Sequence, residues 1–198
     1  MLKRASSGWP QVHKAIVIGC SAGGVQALST LLGGLAQNLP APVIVVCHMG
    51  SEDTHMFCDI LNHRSRLPVT EALERHPPVM GTVYIAPASY HLLIERDGCF
   101  ALSVDDRVCF CRPAIDVLFC SASAYYRQHL IGVVLTGAND DGSQGLKAIR
   151  QRGGLGIVQT PDSAEAKAMP ESAIRIAGAD HIVSLPEIAP HLNQLFGC

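Results

Sequence analysis

The chain has 198 residues, of which 48% are hydrophobic and only 16% are charged, whereas soluble proteins usually carry about 25% charged residues. A composition this apolar can form a sizeable core and excludes a disordered or acidic-tail protein. The 15 Lys and Arg residues against 17 Asp and Glu residues give a net charge of −2, which offers no electrostatic surface for nucleic acid or for an anionic membrane.

The N-terminal segment and the spacing of the cysteines exclude further classes of protein. No apolar stretch of about 7–15 residues follows the basic residues of MLKRASSGWP, so we predict no signal peptide. The longest apolar runs are far shorter than the roughly 20 residues that span a membrane, and we expect no direct membrane insertion. The eight cysteines contain no CxxC pair, which argues against a zinc ribbon or a thioredoxin motif. A disulfide framework is not expected in a chain with this much core, and we predict the reducing cytoplasm.

The first part of the chain predicts alternating strands and helices. Residues 1–13 are expected to be a flexible arm, and 14–198 a single catalytic domain. KAIVIGC (14–20) and PVIVVC (42–47) are short continuous apolar runs, typical of strands buried on both faces. The segment between them repeats its apolar residues at helical spacing, and a second helix is expected at about 54–63. This β-α-β-α order indicates a parallel sheet with helices on its faces.

The middle of the chain differs. LPVTEALE (67–74), TVYIAP (82–87), HLLIE (91–95) and FALSV (100–104) are short runs separated by turn residues, which predict an antiparallel hairpin or meander at a sheet edge. A helix follows Pro113-Ala114.

The strand and helix alternation then returns. The predicted elements are a strand at LIGVVLT (130–136), a helix over 142–152, a strand at GLGIVQT (154–160), a helix from Met169, a strand at HIVSL (181–185) and a helix over 186–196. The predicted fold is α/β: a three-layer, doubly wound, mostly parallel sheet with the antiparallel hairpin or meander in mid-chain.

The turn Gly19-Cys20-Ser21-Ala22-Gly23-Gly24 follows the first strand and opens the first helix. G-x-S-x-G at such a turn is typical of a nucleophilic serine beside helix N–H groups that can stabilise an oxyanion. A phosphate cradle is a second interpretation, although Ser21 replaces the second glycine of the dinucleotide fingerprint and no P-loop lysine is present. A third is a plain turn in which Ser21 caps the helix. The turn alone leaves these interpretations open.

His48 and the pair Asp140-Asp141 also directly follow predicted buried strands. Because the carboxyl ends of parallel strands meet at one edge of a sheet, we expect these side chains to lie near Ser21. Serine, histidine and aspartate form a complete set for nucleophilic acyl transfer. A capping or partly buried role remains the alternative for His48. Either aspartate can cap the next helix or orient the imidazole, and Mg²⁺ binding is a further alternative.

Several motifs in order then identify a family. IGCSAGG, VVCHMG with Phe57 after it, VYIAPASYH, CRPAIDVLF, VVLTGANDDG and AMPESAI resemble the catalytic domain of the chemotaxis protein-glutamate methylesterases (the CheB type), over about residues 14–195. The resemblance implies hydrolysis of the methyl ester on glutamate side chains of chemoreceptors, with release of methanol and with no cofactor. Many members also deamidate receptor glutamines. The implied partner is the methylated cytoplasmic domain of chemoreceptors.

The resemblance also implies roles for individual residues. Ser21 in CSAGG matches the nucleophile, His48 in HMG the general base, and Asp141 in NDDG the aspartate that orients the histidine. The family's oxyanion-hole N–H, in the TG-x-x-x-DG loop, falls on Ala138. The N–H of Ala22, directly after the nucleophile, is a second candidate on physical grounds.

The sequence departs from the family in two places. The loop often reads TGMGxDG, but here Ala138 and Asn139 stand where Met and Gly are usual, which affects rate and specificity more than reaction class. The familiar enzymes also carry a receiver domain before the catalytic domain. Only a short arm precedes the domain here, so the chain is either a stand-alone member or the catalytic domain of a longer enzyme. The start at Met1 favours the former, with a separate regulatory protein as a candidate partner.

A catalytically weak receptor-binding module is the alternative to an enzyme. Arg112, Arg64 and Arg66 are candidates for contact with the acidic surface of a receptor, or are simply solvated. Whether Cys109 and Cys111 do more than pack is left open.

Overall fold

The structure, a computed structural model, describes residues 15–48 and 54–198. The predicted flexible arm (1–13) lies outside this range. Among the described residues, no helix is both long enough and apolar enough to cross a membrane.

The chain alternates between strands and helices. The strands are β1 (Ala15–Cys20), β2 (Val43–Cys47), β3 (Val69–Glu71), β4 (Val83–Ile85), β5 (His91–Ile94), β6 (Phe100–Ser103), β7 (Leu130–Val134), β8 (Leu155–Gln159) and β9 (His181–Val183). The helices are α1 (Gly24–Gly34), α2 (Thr54–Asn62), α3 (Ile115–Tyr126), α4 (Ser143–Gln151), α5 (Ala168–Ala177) and α6 (Leu185–Phe196).

A seven-stranded sheet in the order β3-β4-β2-β1-β7-β8-β9 forms the centre of the molecule. All of its neighbouring strands run parallel. β1 lies in the middle, and all six of its residues are buried. Its last residues pair with the last residues of both neighbours, Cys20 with Cys47 of β2 and Gly19 with Val134 of β7. The carboxyl ends of these strands therefore form one continuous rim.

Two hydrophobic cores cover the two faces of the sheet. Because side chains alternate along a strand, Ile16 and Ile18 of β1 enter the core that α1, α2 and α6 cover, whereas Ala15 and Val17 enter the core that α3, α4 and α5 cover. The continuous apolar strands of the sequence are thus explained by burial on both faces, and the predicted three-layer α/β fold is confirmed.

The middle of the chain is where the prediction and the structure differ. β5 and β6 form the expected antiparallel pair, but as a separate two-stranded sheet. The prediction that the two earlier runs join this meander is wrong, since β3 and β4 are parallel strands of the main sheet. The reason is visible in β4, whose residues are all buried: its apolar run does not alternate, as a strand covered on both faces requires.

Candidate active site

Ser21 lies in the tight turn between β1 and α1. Its N–H donates to the Thr136 carbonyl oxygen at 3.0 Å, and its carbonyl oxygen accepts from the Gly24 N–H at 2.7 Å. Gly23, at φ 77°, is the residue that caps α1, and it supplies no side-chain bond. The interpretation of Ser21 as the helix cap is therefore wrong. Its half-buried side chain lines a surface cleft instead.

His48 directly follows β2, and the strand register brings it to the Ser21 turn. Its N–H donates to the Cys20 carbonyl oxygen at 3.1 Å, and neighbouring strands lie about 4.8 Å apart. Ser21 and His48 line the same cleft, which has a volume of about 390 Å³. Within the described residues, no hydrogen bond joins the Ser21 hydroxyl to the His48 ring. Such bonds are often loose in a substrate-free enzyme and tighten when substrate binds.

Asp141 is fully buried and surrounded by hydrogen-bond donors. His48 Nε2 lies 2.8 Å from its Oδ2. The N–H groups of Ile115 and Asp116 donate to the carboxylate at 2.7 and 2.9 Å, and that of Gly142 at 2.9 Å. Ile115 and Asp116 form the first turn of α3, whose N–H groups have no partner inside the helix and whose dipole favours a negative charge.

This geometry distinguishes the two neighbouring aspartates. Asp141 contacts His48, whereas Asp140 is exposed. The expectation that an aspartate side chain caps the following helix is wrong, because the capping residue of α4 is Gly142, with no side-chain cap. Asp141 caps α3 instead. Since a carboxylate only accepts hydrogen bonds, its contact with His48 places the ring proton on Nε2 and leaves Nδ1 as the basic nitrogen.

Cys111 is the group that faces this basic nitrogen. Its Sγ lies 3.5 Å from His48 Nδ1, 3.3 Å from the Cys109 carbonyl oxygen and 3.5 Å from the Asn139 amide nitrogen. The Cys111 backbone is held by paired bonds with Val108, at 2.8 and 3.1 Å. This contact could not be predicted, because Cys111 lies in a loop and no strand end directs it to the site.

The surroundings of Asp141 are acidic and partly desolvated. Burial raises the pKa of Asp116 to about 6; the charges of Asp141 and Asp140 add to this, and the N–H groups of α4 oppose it. Burial and the nearby carboxylates raise the pKa of Cys109 to about 11. Burial and Asp141 also raise the pKa of Cys111. Both thiols are therefore uncharged at neutral pH.

Two groups of potential metal ligands occur here. His48, Cys111 and Asp141 offer ligand atoms within 4.8 Å of one another, as do Cys109, Asp116 and Asp141. Both groups depend on the Asp141 carboxylate, whose two oxygens already accept bonds from backbone N–H groups and from the histidine. The donor set is therefore arranged to hold an imidazole rather than to complete the coordination of a cation.

The cleft itself is lined by small and polar groups. Besides the serine and the histidine, its lining consists of Gly23, Gly24, Val25, Gln26, Cys47 and Glu165. Glu165 packs directly over Gly23, where an added Cβ would lie 2.8 Å from the Glu165 Cβ. Glycine is needed there both for this approach and for its positive φ. Sequence reasoning missed Glu165, since no motif marks it.

Two exposed loop residues were expected to supply oxyanion-hole N–H groups. Ala22 and Ala138 are both exposed, and in the described part of the chain their N–H groups donate to no backbone carbonyl. Neither lies among the residues that line the cleft. Thr136 ties the two loops together: its hydroxyl donates to the Ala22 carbonyl oxygen at 2.8 Å and accepts from the Ala166 N–H at 2.9 Å.

The arginines expected at a partner surface have different surroundings. Arg112 Nη1 donates to the carbonyl oxygens of Val104 and Asp105, at 2.6 and 3.0 Å, so this side chain stabilises its own loop. Arg64 and Arg66 are exposed and remain candidates for a surface contact.

The fold and the site together define a class: a doubly wound α/β protein with serine and a histidine–aspartate pair at the carboxyl ends of its central strands. Residues 16–192 match the CheB methylesterase family. The chain belongs to this family, which confirms the resemblance seen in its motifs and the expected class of enzyme, an esterase.

Individual relatives agree with this assignment. A protein-glutamate methylesterase/protein-glutamine glutaminase of Leptospira interrogans is 47% identical over 177 residues, covering 89% of this chain and 92% of the relative. One of Pseudomonas aeruginosa is 37% identical, over 93% of this chain and 55% of the relative. The crystal structure of the Thermotoga maritima CheB methylesterase catalytic domain matches with a TM-score of 0.89 at 33% identity, covering 92% of this chain and 98% of that one.

Proposed function

We propose that this protein hydrolyses the methyl esters of glutamate side chains in the cytoplasmic domains of bacterial chemoreceptors, with Ser21 as nucleophile, His48 as general base and Asp141 as the residue that orients the base. The observation that carries the proposal is the contact of His48 Nε2 with the buried Asp141 carboxylate at 2.8 Å, beside the cleft that His48 shares with Ser21. Because the proposed substrate is a cytoplasmic domain, we expect the enzyme to act in the cytoplasm.

Acylation begins when His48 Nδ1 takes the proton of the Ser21 hydroxyl and the Ser21 oxygen attacks the ester carbonyl carbon. Asp141 stabilises the imidazolium that forms, without itself taking a proton. The tetrahedral intermediate then collapses, the carbon–oxygen bond to the methoxy group breaks, and the leaving oxygen receives the proton from Nδ1. Methanol and an acyl-enzyme are the products of this step.

The same groups complete the reaction. Nδ1 takes a proton from a water molecule, whose oxygen attacks the carbonyl carbon of the acyl-enzyme. The bond from that carbon to the Ser21 oxygen then breaks, the Ser21 oxygen receives the proton from Nδ1, and the glutamate carboxylate is released. In both steps, the N–H groups of Ala22 and Ala138 are the donors that we assign to the negatively charged oxygen, because each is exposed and neither is used by a backbone carbonyl of the described residues. Removal of one such donor costs about 10²–10³ in rate in comparable enzymes.

A receptor glutamine can follow the same route. Its side-chain amide carbon would be attacked by Ser21, and ammonia would leave in place of methanol. The double names of the relatives, methylesterase and glutaminase, support this second reaction. The exposed Arg64 and Arg66 are candidates to contact an acidic receptor surface, and a separate regulatory protein remains a candidate partner.

The experiment is methanol release from a methylated receptor fragment by the wild type, Ser21→Ala and Asp140→Asn. We expect release by the wild type, almost none by Ser21→Ala, and wild-type release by Asp140→Asn, whose side chain is exposed. Circular dichroism checks that each variant is folded.

Two results would overturn the proposal. Equal release by the wild type and Ser21→Ala would remove Ser21 as the nucleophile. No release by a folded wild type from fragments of several receptors would leave a receptor-binding module as the better description.

A further inference from the structure

The basic nitrogen of His48 has a thiol beside it. Nε2 is occupied by Asp141, so Nδ1 is the nitrogen that must accept the proton of the nucleophile. Among the described residues, the atom within hydrogen-bond distance of Nδ1 is Cys111 Sγ, at 3.5 Å. In the substrate-free protein, Cys111 is therefore the side chain that contacts the nitrogen of His48 that must act as the base.

The thiol is fixed on its other sides as well. The Asn139 side-chain amide donates to Sγ at 3.5 Å, and the Cys109 carbonyl oxygen lies 3.3 Å from it. Because the pKa of Cys111 is raised by burial and by Asp141, the sulfur keeps its hydrogen at neutral pH. That one hydrogen has two acceptors within reach, His48 Nδ1 and the Cys109 carbonyl oxygen.

Other roles fit these observations less well. A nucleophilic cysteine needs thiolate character, whereas this thiol is uncharged and does not belong to the cleft lining. A metal site would draw on an Asp141 carboxylate whose oxygens are already occupied. A neutral thiol with a choice of acceptors is suited to hold the imidazole in place.

We propose that Cys111 is a positioning residue for the esterase reaction: its S–H bonds His48 Nδ1 in the free enzyme and turns to the Cys109 carbonyl oxygen when substrate brings the Ser21 hydroxyl to that nitrogen. The inference rests on the proposed function. The thiol keeps its own proton throughout, and the proton that moves is the one that passes from Ser21 to Nδ1 and then to the leaving methoxy oxygen. The Asn139 amide holds the sulfur in place while its hydrogen turns.

The test compares kcat and KM for Cys111→Ser, Cys111→Ala and Cys111→Val. Serine retains one hydrogen and the acceptor lone pairs, so we expect activity close to that of the wild type. Alanine and valine remove the hydrogen bond, and valine also fills the space. We expect both to raise KM about 3–10-fold, the scale of one hydrogen bond, with kcat unchanged. The reason is that the bond to Nδ1 is made in the free enzyme, so that without it the imidazole must be ordered when substrate binds. Cys120→Ala, which removes an exposed thiol on α3, is the matched control.

Three results would overturn the inference: wild-type KM in Cys111→Ala, restoration of wild-type KM by valine, which would reduce Cys111 to packing, or an increase of KM in Cys111→Ser equal to that in Cys111→Ala. In each case methanol release by the wild type, with none by Ser21→Ala, would leave the proposed function intact.

A variant of Asn139 tests the same contact from its other side, without a change at Cys111 itself. Asn139→Gly removes the amide donor to Cys111 Sγ and the side-chain oxygen that accepts the Asp141 N–H at 3.3 Å, at a loop position that glycine accommodates. We expect it to raise KM, and to raise it less in Cys111→Ala than in the wild type, because the contact with Sγ is already lost in Cys111→Ala. Additive increases in the double variant would contradict the inference.

Discussion

Asp141 combines two tasks in one side chain. Its carboxylate accepts the N–H groups of Ile115 and Asp116 at the start of α3 and at the same time contacts His48. Helix α3 therefore fixes the carboxylate, and the carboxylate fixes the imidazole. The rigid support that the proposed general base needs comes here from a helix N-terminus rather than from further side chains.

Asp141→Asn should lower kcat by about 10³–10⁴, as expected when the residue that sets the histidine tautomer is lost. It should also lower the melting temperature, because the Asn side-chain NH₂ cannot accept the α3 N–H groups. Methanol release and thermal unfolding measure the two effects. Asp140→Asn is the control, and equal losses in both variants would contradict the separate roles of the neighbours.

Asp116 should make stability depend on pH. Its folded pKa of about 6 lies above the ordinary value of 3.8, so the folded protein binds this proton more tightly than the unfolded chain. The contribution is fully present below about pH 4 and is lost as the pH rises through about 6.

Asp116→Asn should remove this dependence. Asn can still accept the Gly145 N–H that Asp116 accepts, but it cannot ionise. Urea unfolding between about pH 4 and 8 gives the free energies of unfolding of the wild type and the variant. The variant should become more stable relative to the wild type as the pH rises through about 6. A difference that is constant across this range would show that Asp116 ionises without cost.

The sequence located the serine, the histidine and the aspartate because each directly follows a buried strand, and strand ends have a fixed place in a parallel sheet. The strand pattern alone could not choose between Asp140 and Asp141, because both follow the same strand; the resemblance to the family indicated Asp141, the aspartate that contacts His48 in the structure. The positions of Cys111 and Glu165 could not be predicted for a related reason. Contacts between distant segments position their loops, and no periodic pattern in the sequence marks such contacts.

At the scale of elements, the close packing of α3 against α4 positions the site. Gly145 of α4 lies so near α3 that an added Cβ would be 2.4 Å from the Phe119 Cβ and 3.1 Å from Asp116 Oδ1. The Gly145 N–H donates to that same oxygen at 2.6 Å. Asp141 lies just before α4 and binds the start of α3, so the spacing of these helices also sets the position of the carboxylate.

Gly145→Ala should therefore destabilise the protein by about 1–3 kcal/mol, the usual cost of overpacking, and should lower kcat as well. Urea unfolding and methanol release measure these effects. Gln144→Ala, an exposed change on the same helix, is the control and should alter neither. Wild-type stability in Gly145→Ala would mean that the two helices can separate without cost.

The elements themselves were largely predictable, but their pairing was not. Long apolar or periodic segments such as those of β1 and α1 are marked by their own residues. β3 and β4 have only three residues each, too few for a pattern to show which strand they pair with. Their place in the parallel sheet follows from burial on both faces, which is a property of the assembled molecule.

At the scale of the whole molecule, α6 should contribute stability without influencing catalysis. Its Leu192 is fully buried, and its Asn193 bonds the Gly34 carbonyl oxygen and the Ala36 N–H at 2.9 Å each. These contacts lie at the end of α1 farthest from Ser21.

Leu192→Ala should cost about 2–5 kcal/mol of stability and lower the melting temperature by about 4–20 °C. Below the unfolding transition, kcat should equal that of the wild type. Thermal unfolding and methanol release test this pair of expectations, and a lower kcat at temperatures where the variant is folded would show that the two ends of α1 are coupled.

The central position of β1 has a consequence during synthesis on the ribosome. β1 pairs on one side with β2, but its partner on the other side, β7, begins only at Leu130. Leu130 lies 110 positions after Cys20, the last residue of β1, which corresponds to about 5–20 s of translation at about 5–20 residues per second. For that interval the nascent chain carries an apolar strand with one unpaired edge, the kind of surface that pairs with other chains. Because of this strand order, the open edge of β1 must be kept from pairing with other chains until β7 emerges from the ribosome.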